Sequence, residues 1–273
     1  MRALAMGWRV LGAVIMSLTL GLLAGCSTKD PPDPTLSWTP ERLYSDAKEE
    51  IRSGNWANAL RQLERLESRY PFGKWAQQAQ LDTAYVHYRD GERILALAAI
   101  DRFLKLYPNH ESLDYAYYLR GLINFNEQQG FLSNLGGQDL SERDLRAARE
   151  AFEAFRTVTQ RFPSSKYVDD SLARMRYLKN NMAQGELHIA RYYFRRGAYV
   201  AAANRSQAVI RQYQDAPAVE EALALMALSY DKLGLTDLKQ DAERILKLNY
   251  PESSLLRTGL NLDPKRRWWT FWR

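Results

Sequence analysis

Between residues 54 and 251 the apolar positions recur in steps of three: Leu60, Leu63 and Leu66; Leu97, Ile100 and Phe103; Phe152, Phe155 and Val158. That spacing places each trio on one face of a helix and leaves the polar residues on the other. A second helical stretch precedes each glycine described next, as in Leu81, Ala84, Tyr85 and Tyr88. A glycine separates the two stretches, and an aromatic residue follows it 16 positions later: Gly54 to Tyr70-Pro71, Gly91 to Tyr107-Pro108, Gly197 to Tyr213, Gly234 to Tyr250-Pro251. A fifth copy ends at Phe162-Pro163, with Arg146 in the glycine's place. Glycine ends helices and proline cannot continue them, so each copy reads as helix, turn, helix, stop. No stretch alternates apolar and polar residues as a half-buried strand would.

A single helix pair cannot bury its stripe alone, so repeated pairs predict stacking. The expected fold is all-α, a superhelical solenoid of about five helix pairs. Gly54, Trp56, Ala59, Leu63 and Pro71 resemble, in order, the glycine, aromatic, small, bulky and proline positions of the tetratricopeptide repeat. The aromatic stops lie 37, 55, 51 and 37 residues apart, against roughly 34 in that repeat, so two units carry insertions. The first, Gly130-Phe131-Leu132-Ser133-Asn134-Leu135-Gly136-Gly137, is glycine-rich and predicts a loop inside the third unit. The second predicts one long helix, or two end to end, over about 168–196. It would join an N-terminal half (40–163, repeats 1–3) to a C-terminal half (164–251, repeats 4–5), with a basic aromatic tail at 252–273.

The N-terminus breaks the pattern. Arg2 and Arg9 precede an uncharged apolar run from Val10 to Ala24, which ends in Leu23-Ala24-Gly25-Cys26. The run is shorter than the roughly 20 residues a membrane-spanning helix needs, and this favours a signal peptide over 1–25. Leu-Ala-Gly-Cys resembles a bacterial lipobox, which implies cleavage before Cys26 and a diacylglycerol and N-acyl chain on it. No other cofactor is expected. Residues 26–39, proline-rich and polar, read as a tether. Ser27, rather than an aspartate, after the cysteine predicts the periplasmic face of the outer membrane.

Composition narrows the function. With 46% hydrophobic and 26% charged residues the chain is globular, and its single cysteine excludes an internal disulfide. The net charge of +6 sits at the ends: between residues 26 and 264, 32 bases balance 32 acids. A neutral body gives no concentrated basic face for phosphates, so nucleic acid is not an expected partner. His87, His110 and His188 are far apart, and no phosphate loop, nucleophile elbow or His-Glu-x-x-His motif is present. The repeats also leave no room for the catalytic domain of a lytic transglycosylase. The expectation is a non-enzymatic binding protein without metal.

Several motifs carry a resemblance to one family: Gly54-Asn55-Trp56 with Ala59-Leu60, Arg69-Tyr70-Pro71-Phe72-Gly73, Ala99-Ile100-Asp101-Arg102-Phe103, Asp114-Tyr115 with Arg120-Gly121-Leu122, and Arg196-Gly197-Ala198-Tyr199 with Asn204-Arg205. With the lipobox they resemble the BamD (ComL) family, lipoproteins of the outer-membrane β-barrel assembly machinery. The resemblance implies docking on the barrel protein BamA and other subunits of the machinery, and reception of unfolded outer-membrane protein clients. It places BamA contact in the C-terminal half, where Tyr193, Arg196, Tyr199, Asn204 and above all Arg205 are the candidates, residue types favoured at interface hot spots. The first helices of repeats 1 and 2 would line a concave client groove with Tyr44, Lys48, Leu81, Tyr85, Tyr88 and Arg89, aromatic and mildly basic, suited to an aromatic segment ending in a carboxylate.

One alternative shares fold, anchor and compartment: a periplasmic tetratricopeptide lipoprotein that coordinates cell-wall or peptidoglycan proteins. The last nine residues, Lys265-Arg266-Arg267-Trp268-Trp269-Thr270-Phe271-Trp272-Arg273, belong to neither the repeats nor the family pattern. A second, reversible membrane contact, binding to a neighbouring subunit, and no role at all remain open for them.

Overall fold

The computed structural model describes residues 33–125 and 145–260. The signal peptide, Cys26, the glycine-rich segment 130–137 and the tail 265–273 lie outside them. The described residues form eleven helices and no strand. In chain order they are α1 (Pro40–Ser53), α2 (Trp56–Arg69), α3 (Lys74–Arg89), α4 (Arg93–Leu106), α5 (Leu113–Asn124), α6 (Leu145–Arg161), α7 (Val168–Arg195), α8 (Tyr199–Gln212), α9 (Ala218–Lys232), α10 (Thr236–Asn249) and α11 (Leu255–Thr258). Successive helices pack on each other, giving the five expected pairs α1/α2 to α9/α10, each a first and a second helix.

The turn chemistry repeats with the sequence. Gly54, Gly91, Gly197 and Gly234 have φ of 76°, 84°, 77° and 71°, the left-handed region that a side chain disfavours. Each is followed by the same bond back across five residues, from Asn55, Glu92, Ala198 and Leu235 N–H to the carbonyls of Glu50, His87, Tyr193 and Tyr230. This satisfies carbonyls that the helix end leaves unpaired. In unit 3 the glycine's place is taken by Arg146, which lies inside α6 rather than in a turn. The second helices all stop alike: the N–H of Tyr70, Tyr107, Phe162, Tyr213 and Tyr250 donates to the carbonyl four residues back, at 2.8–3.0 Å.

Packing follows the predicted stripes. Leu63 and Leu66, Ile100 and Phe103, and Phe155 and Val158 are fully buried. Three apolar clusters result: one of α1–α3, one of α3–α5, and a larger one from α6 to α10. The long insertion is the single helix α7, 28 residues and about 42 Å at 1.5 Å per residue, which packs against α6, α8 and α9. Ahead of α1, Asp33 accepts from the Thr35 N–H at 2.9 Å and from Arg69, and Tyr70 Oη donates to the Trp38 carbonyl at 2.9 Å. The Arg69-Tyr70 motif therefore fastens the end of the tether to α2.

Candidate binding face

Four first helices each carry one stripe at steps of three and four: Glu41, Tyr44 and Lys48 on α1; Trp75, Gln78, Asp82, Tyr85 and Arg89 on α3; Tyr115, Tyr118, Leu122 and Phe125 along and just past α5; Tyr167, Asp170, Arg174 and Tyr177 at the start of α7. Such steps keep a stripe on one face; contacts join the stripes in two pairs, α1 with α3 and α5 with α7, and the charge of Asp82 on α3 reaches Tyr115 on α5 between them, so the four make a row. Trp75 Nε1 donates to Glu41 at 2.8 Å, and the Trp75 and Tyr44 rings lie 5.0 Å apart. Tyr44 Oη and Lys48 Nζ both donate to Asp82, at 2.8 and 3.2 Å. Farther along, Tyr167 lies 5.6 Å from Tyr115 and stacks on Tyr118 at 4.5 Å. Tyr118 Oη donates to Asp170 at 2.8 Å, Arg174 lies 4.7 Å over Phe125, and Phe125 meets Tyr177 edge-on. Most of these rings are half-buried and offer a flat apolar face, while the polar edges of Tyr44, Trp75, Tyr85 and Tyr118 are already bonded.

The electrostatics differ from the sequence expectation in one respect. Asp82 is buried, with 6% of its side chain exposed, and it neutralises Lys48. Arg89 donates to Tyr85 Oη at 2.8 Å and lies over the Trp56 ring. The row is therefore charge-balanced rather than mildly basic. Burial, then the charge of Asp82, push the phenols of Tyr44 and Tyr115 well above the usual tyrosine range. Burial and the bond to Asp170 push Tyr118 up to about 12. For Asp170 burial acts upward, but bonds from Arg174 and Tyr118 outweigh it and hold the carboxyl below its usual range. At neutral pH these phenols are neutral and the Asp170 carboxyl is a charged acceptor.

Of the expected groove residues, Tyr44, Lys48, Tyr85 and Arg89 lie in the row. Leu81 does not, being fully buried; Tyr88, like Tyr85, is half-buried against the α3–α5 core, but the bonds and ring contacts of the row reach Tyr85 and not Tyr88. The step from Leu81 to Ala84 to Tyr88 is the core stripe of α3, one face away from Trp75, Asp82 and Tyr85. Sequence reasoning missed Trp75, Asp82, Tyr118 and Tyr167 as members of the row. The signal that finds them is the second periodicity on the same helix, offset from the core stripe.

The C-terminal candidates divide into two groups. Around the Gly197 turn, Tyr192 meets Tyr193 edge-on at 5.9 Å, Arg196 lies 6.0 Å over Tyr192, and Tyr199 meets Phe194 at 5.2 Å. Arg196 and Asn204 are exposed, Tyr193 and Tyr199 half-buried. Arg205 instead donates to Glu186 at 2.9 Å, and Arg149 of α6 reaches the other oxygen at 3.4 Å. Glu186 keeps only 6% of its side chain exposed, so Arg205 is a partner of a buried carboxylate as well as a surface residue. Among the described residues no cluster of His, Cys, Asp or Glu suits a metal, and no helix is long and apolar enough to cross a membrane.

Residues 37–245 match the YfiO family, described as outer membrane lipoprotein. The chain belongs to this family. Its relatives include outer membrane protein assembly factor BamD of Neisseria meningitidis serogroup B, 47% identical over 95% of this chain and 98% of the relative. BamD of Vibrio cholerae is 39% identical, covering 85% and 95%, and that of Haemophilus influenzae 33%, covering 88% and 91%. Among solved structures, a tetratricopeptide repeat protein of Parabacteroides merdae aligns over 81% of this chain and 70% of its own, at 13% identity and a TM-score of 0.37.

Proposed function

We propose that this chain is a non-enzymatic assembly factor for outer-membrane β-barrel proteins, held at the periplasmic face of the outer membrane by acyl chains on Cys26. The observation that carries the reading is the aromatic row across α1, α3, α5 and α7, in a chain whose relatives are named assembly factors. Half-buried tyrosine and tryptophan rings bind at low side-chain entropy cost, and bonded carboxylates between them offer acceptors to a peptide backbone. An unfolded barrel strand, with aromatic side chains alternating along an extended backbone, has matching chemistry. Tyr44, Lys48, Asp82, Tyr85 and Arg89 form the client-binding end of the row.

BamA docks in the C-terminal half, through Arg196, Tyr193, Tyr199 and Asn204 around the Gly197 turn and through the exposed part of Arg205. Six residues lie between Cys26 and the clamped Asp33, and seven Cα steps reach at most about 25 Å, so an acylated Cys26 keeps unit 1 close to the membrane.

The test is a C-terminally tagged chain, extracted from outer membranes in mild detergent, with its stoichiometric partners identified by mass spectrometry. BamA should be recovered. Recovery of peptidoglycan synthases or their regulators without BamA would overturn the reading in favour of a cell-wall adaptor.

A further inference from the structure

The loops after the second helices share one chemistry, and unit 1 departs from it. Two residues after the stop stand Asn109, Ser164, Asp215 and Glu252 in units 2 to 5, but Phe72 in unit 1. The residue after that, His110, Ser165, Ala216 or Ser253, donates its N–H to the carbonyl of the stop and closes the loop into a turn. Unit 1 has Gly73 there instead, at φ 91° and ψ −178°, a conformation open essentially to glycine alone. Helix α3 then begins four residues after Tyr70, against five or six in the other units. Phe72 stands out from the fold: at 89% it is the most exposed large apolar side chain among the described residues.

Phe72 does not stand alone. The turn ahead of α1 packs on the same end of α2, where Arg69 donates to the Thr35 carbonyl and Tyr70 Oη to the Trp38 carbonyl. Leu36 in that turn is 67% exposed, so it and Phe72 flank one edge of unit 1. Along this edge Arg42 lies 4.3 Å over the Trp38 ring and Lys74 lies 4.8 Å over the Trp75 ring. Arg65 and Arg69 share Asp33, and Trp75 Nε1 holds Glu41, so four cations face two carboxylates and both carboxylates are engaged. Exposed apolar side chains beside tryptophan and surplus cations suit a phospholipid surface, with rings at headgroup level and cations on phosphates. The tether also leaves from this edge, because Asp33 is clamped here and at most about 25 Å of chain reaches Cys26.

We propose that this edge of unit 1 is a membrane contact of the folded body. Phe72 and Leu36 enter the phospholipid surface that holds the acyl chains, and Arg42 and Lys74 meet headgroup phosphates. The inference rests on the acylated Cys26 of the proposed function. A short tether makes the contact intramolecular, so two apolar side chains and two cations suffice to keep it made. The contact also orients the binding face. Helices α1 and α3 both begin at this edge and run away from it, so the stripes along their sides stay open to the periplasm instead of lying against lipid.

The test uses the acylated chain returned from detergent to phosphatidylethanolamine–phosphatidylglycerol vesicles. Cys26 is the single cysteine, and acylation consumes its thiol, so Phe72→Cys and, in unit 2, Asn109→Cys each give one site for an environment-sensitive fluorophore. Emission at 72 should shift to the blue and be quenched by brominated acyl chains, and emission at 109 should do neither. A second measurement needs no label. With one myristoyl-length chain on the Cys26 thiol in place of full acylation, vesicle binding is marginal, about 10⁴ M⁻¹, and a second contact becomes readable. Leu36→Ser with Phe72→Ser should then weaken binding about tenfold. Emission at 72 like that at 109, or equal binding of the two chains, would overturn the inference and leave the anchor standing. An unacylated Cys26, read from the mass of the N-terminal peptide, would overturn both. A label at 72 shielded in outer membranes but aqueous in the vesicles would assign the edge to a protein partner and overturn the lipid contact.

Discussion

At the scale of single residues, Arg205 shows how a surface position acquires an interior duty. Its guanidinium and that of Arg149 share the buried Glu186 carboxylate, tying α6 and α8 to the middle of α7. Replacing Arg205 by alanine leaves Arg149 to compensate, and both arginines are about half exposed, so the cost should be about 1 kcal/mol, toward the surface-pair end of the scale. Arg205→Glu sets a second carboxylate against Glu186 and should cost roughly 3 kcal/mol, the range for breaking a buried pair. Urea midpoints at unchanged slope would measure both. An equal, negligible loss in the two variants would show that Glu186 does not depend on Arg205. The comparison also separates docking from folding: weaker BamA recovery with Arg205→Ala at near-normal stability points to the interface, whereas the same loss with Arg205→Glu alone does not.

At the scale of helices, the repeat was legible because its signals are local. A glycine in a left-handed turn, an aromatic stop and a three-residue apolar step are each fixed by a few neighbouring residues, and the 28-residue α7 followed from the absence of any stop between Pro163 and Arg196. The face was only half legible, because core and row are two stripes on one helix and composition does not say which is which; Tyr88 and Tyr85 differ only in the direction their side chains take. Glu186 was not legible at all, since its partners stand 37 and 19 residues away on other helices. Gly121 belongs to the same class. It is buried in the interior of α5, where a β-carbon would come within 2.5–2.8 Å of the Phe155 ring of α6. The close approach of these two helices requires a residue without a side chain. Gly121→Ala should therefore cost about 1–3 kcal/mol by overpacking, despite alanine's better helix propensity, and thermal unfolding would measure it. A gain in stability would mean that Phe155 turns aside freely.

At the scale of the whole molecule, the aromatic row is also part of what joins the units. Tyr44 connects α1 to α3 through Asp82, while Tyr115 and Tyr118 pack on Tyr167 and Tyr118 bonds Asp170, connecting α5 to α7. In a solenoid, stability is a sum of units and the interfaces between neighbours, so groups at these seams act on the assembly as a whole. All three phenols have pKa values raised in the folded state, Tyr118 to about 12. An unfolded tyrosine loses its proton near pH 10. Below about pH 10 both states hold the proton and the contribution is fully present. Above it the unfolded chain is deprotonated first, the folded chain binds more protons, and stability must fall as pH rises toward and through about 12. The thermal midpoint should drop over this window while tyrosinate absorbance lags behind that of the urea-unfolded chain. Tyr44→Phe and Tyr118→Phe remove the titrating hydroxyls and should flatten the fall, at the cost of leaving Asp82 and Asp170 one donor short at neutral pH. A midpoint that falls equally steeply in the double variant, and again when Tyr115→Phe is added, would place the alkaline sensitivity elsewhere, and the row would then be a binding face without a share in holding the solenoid together.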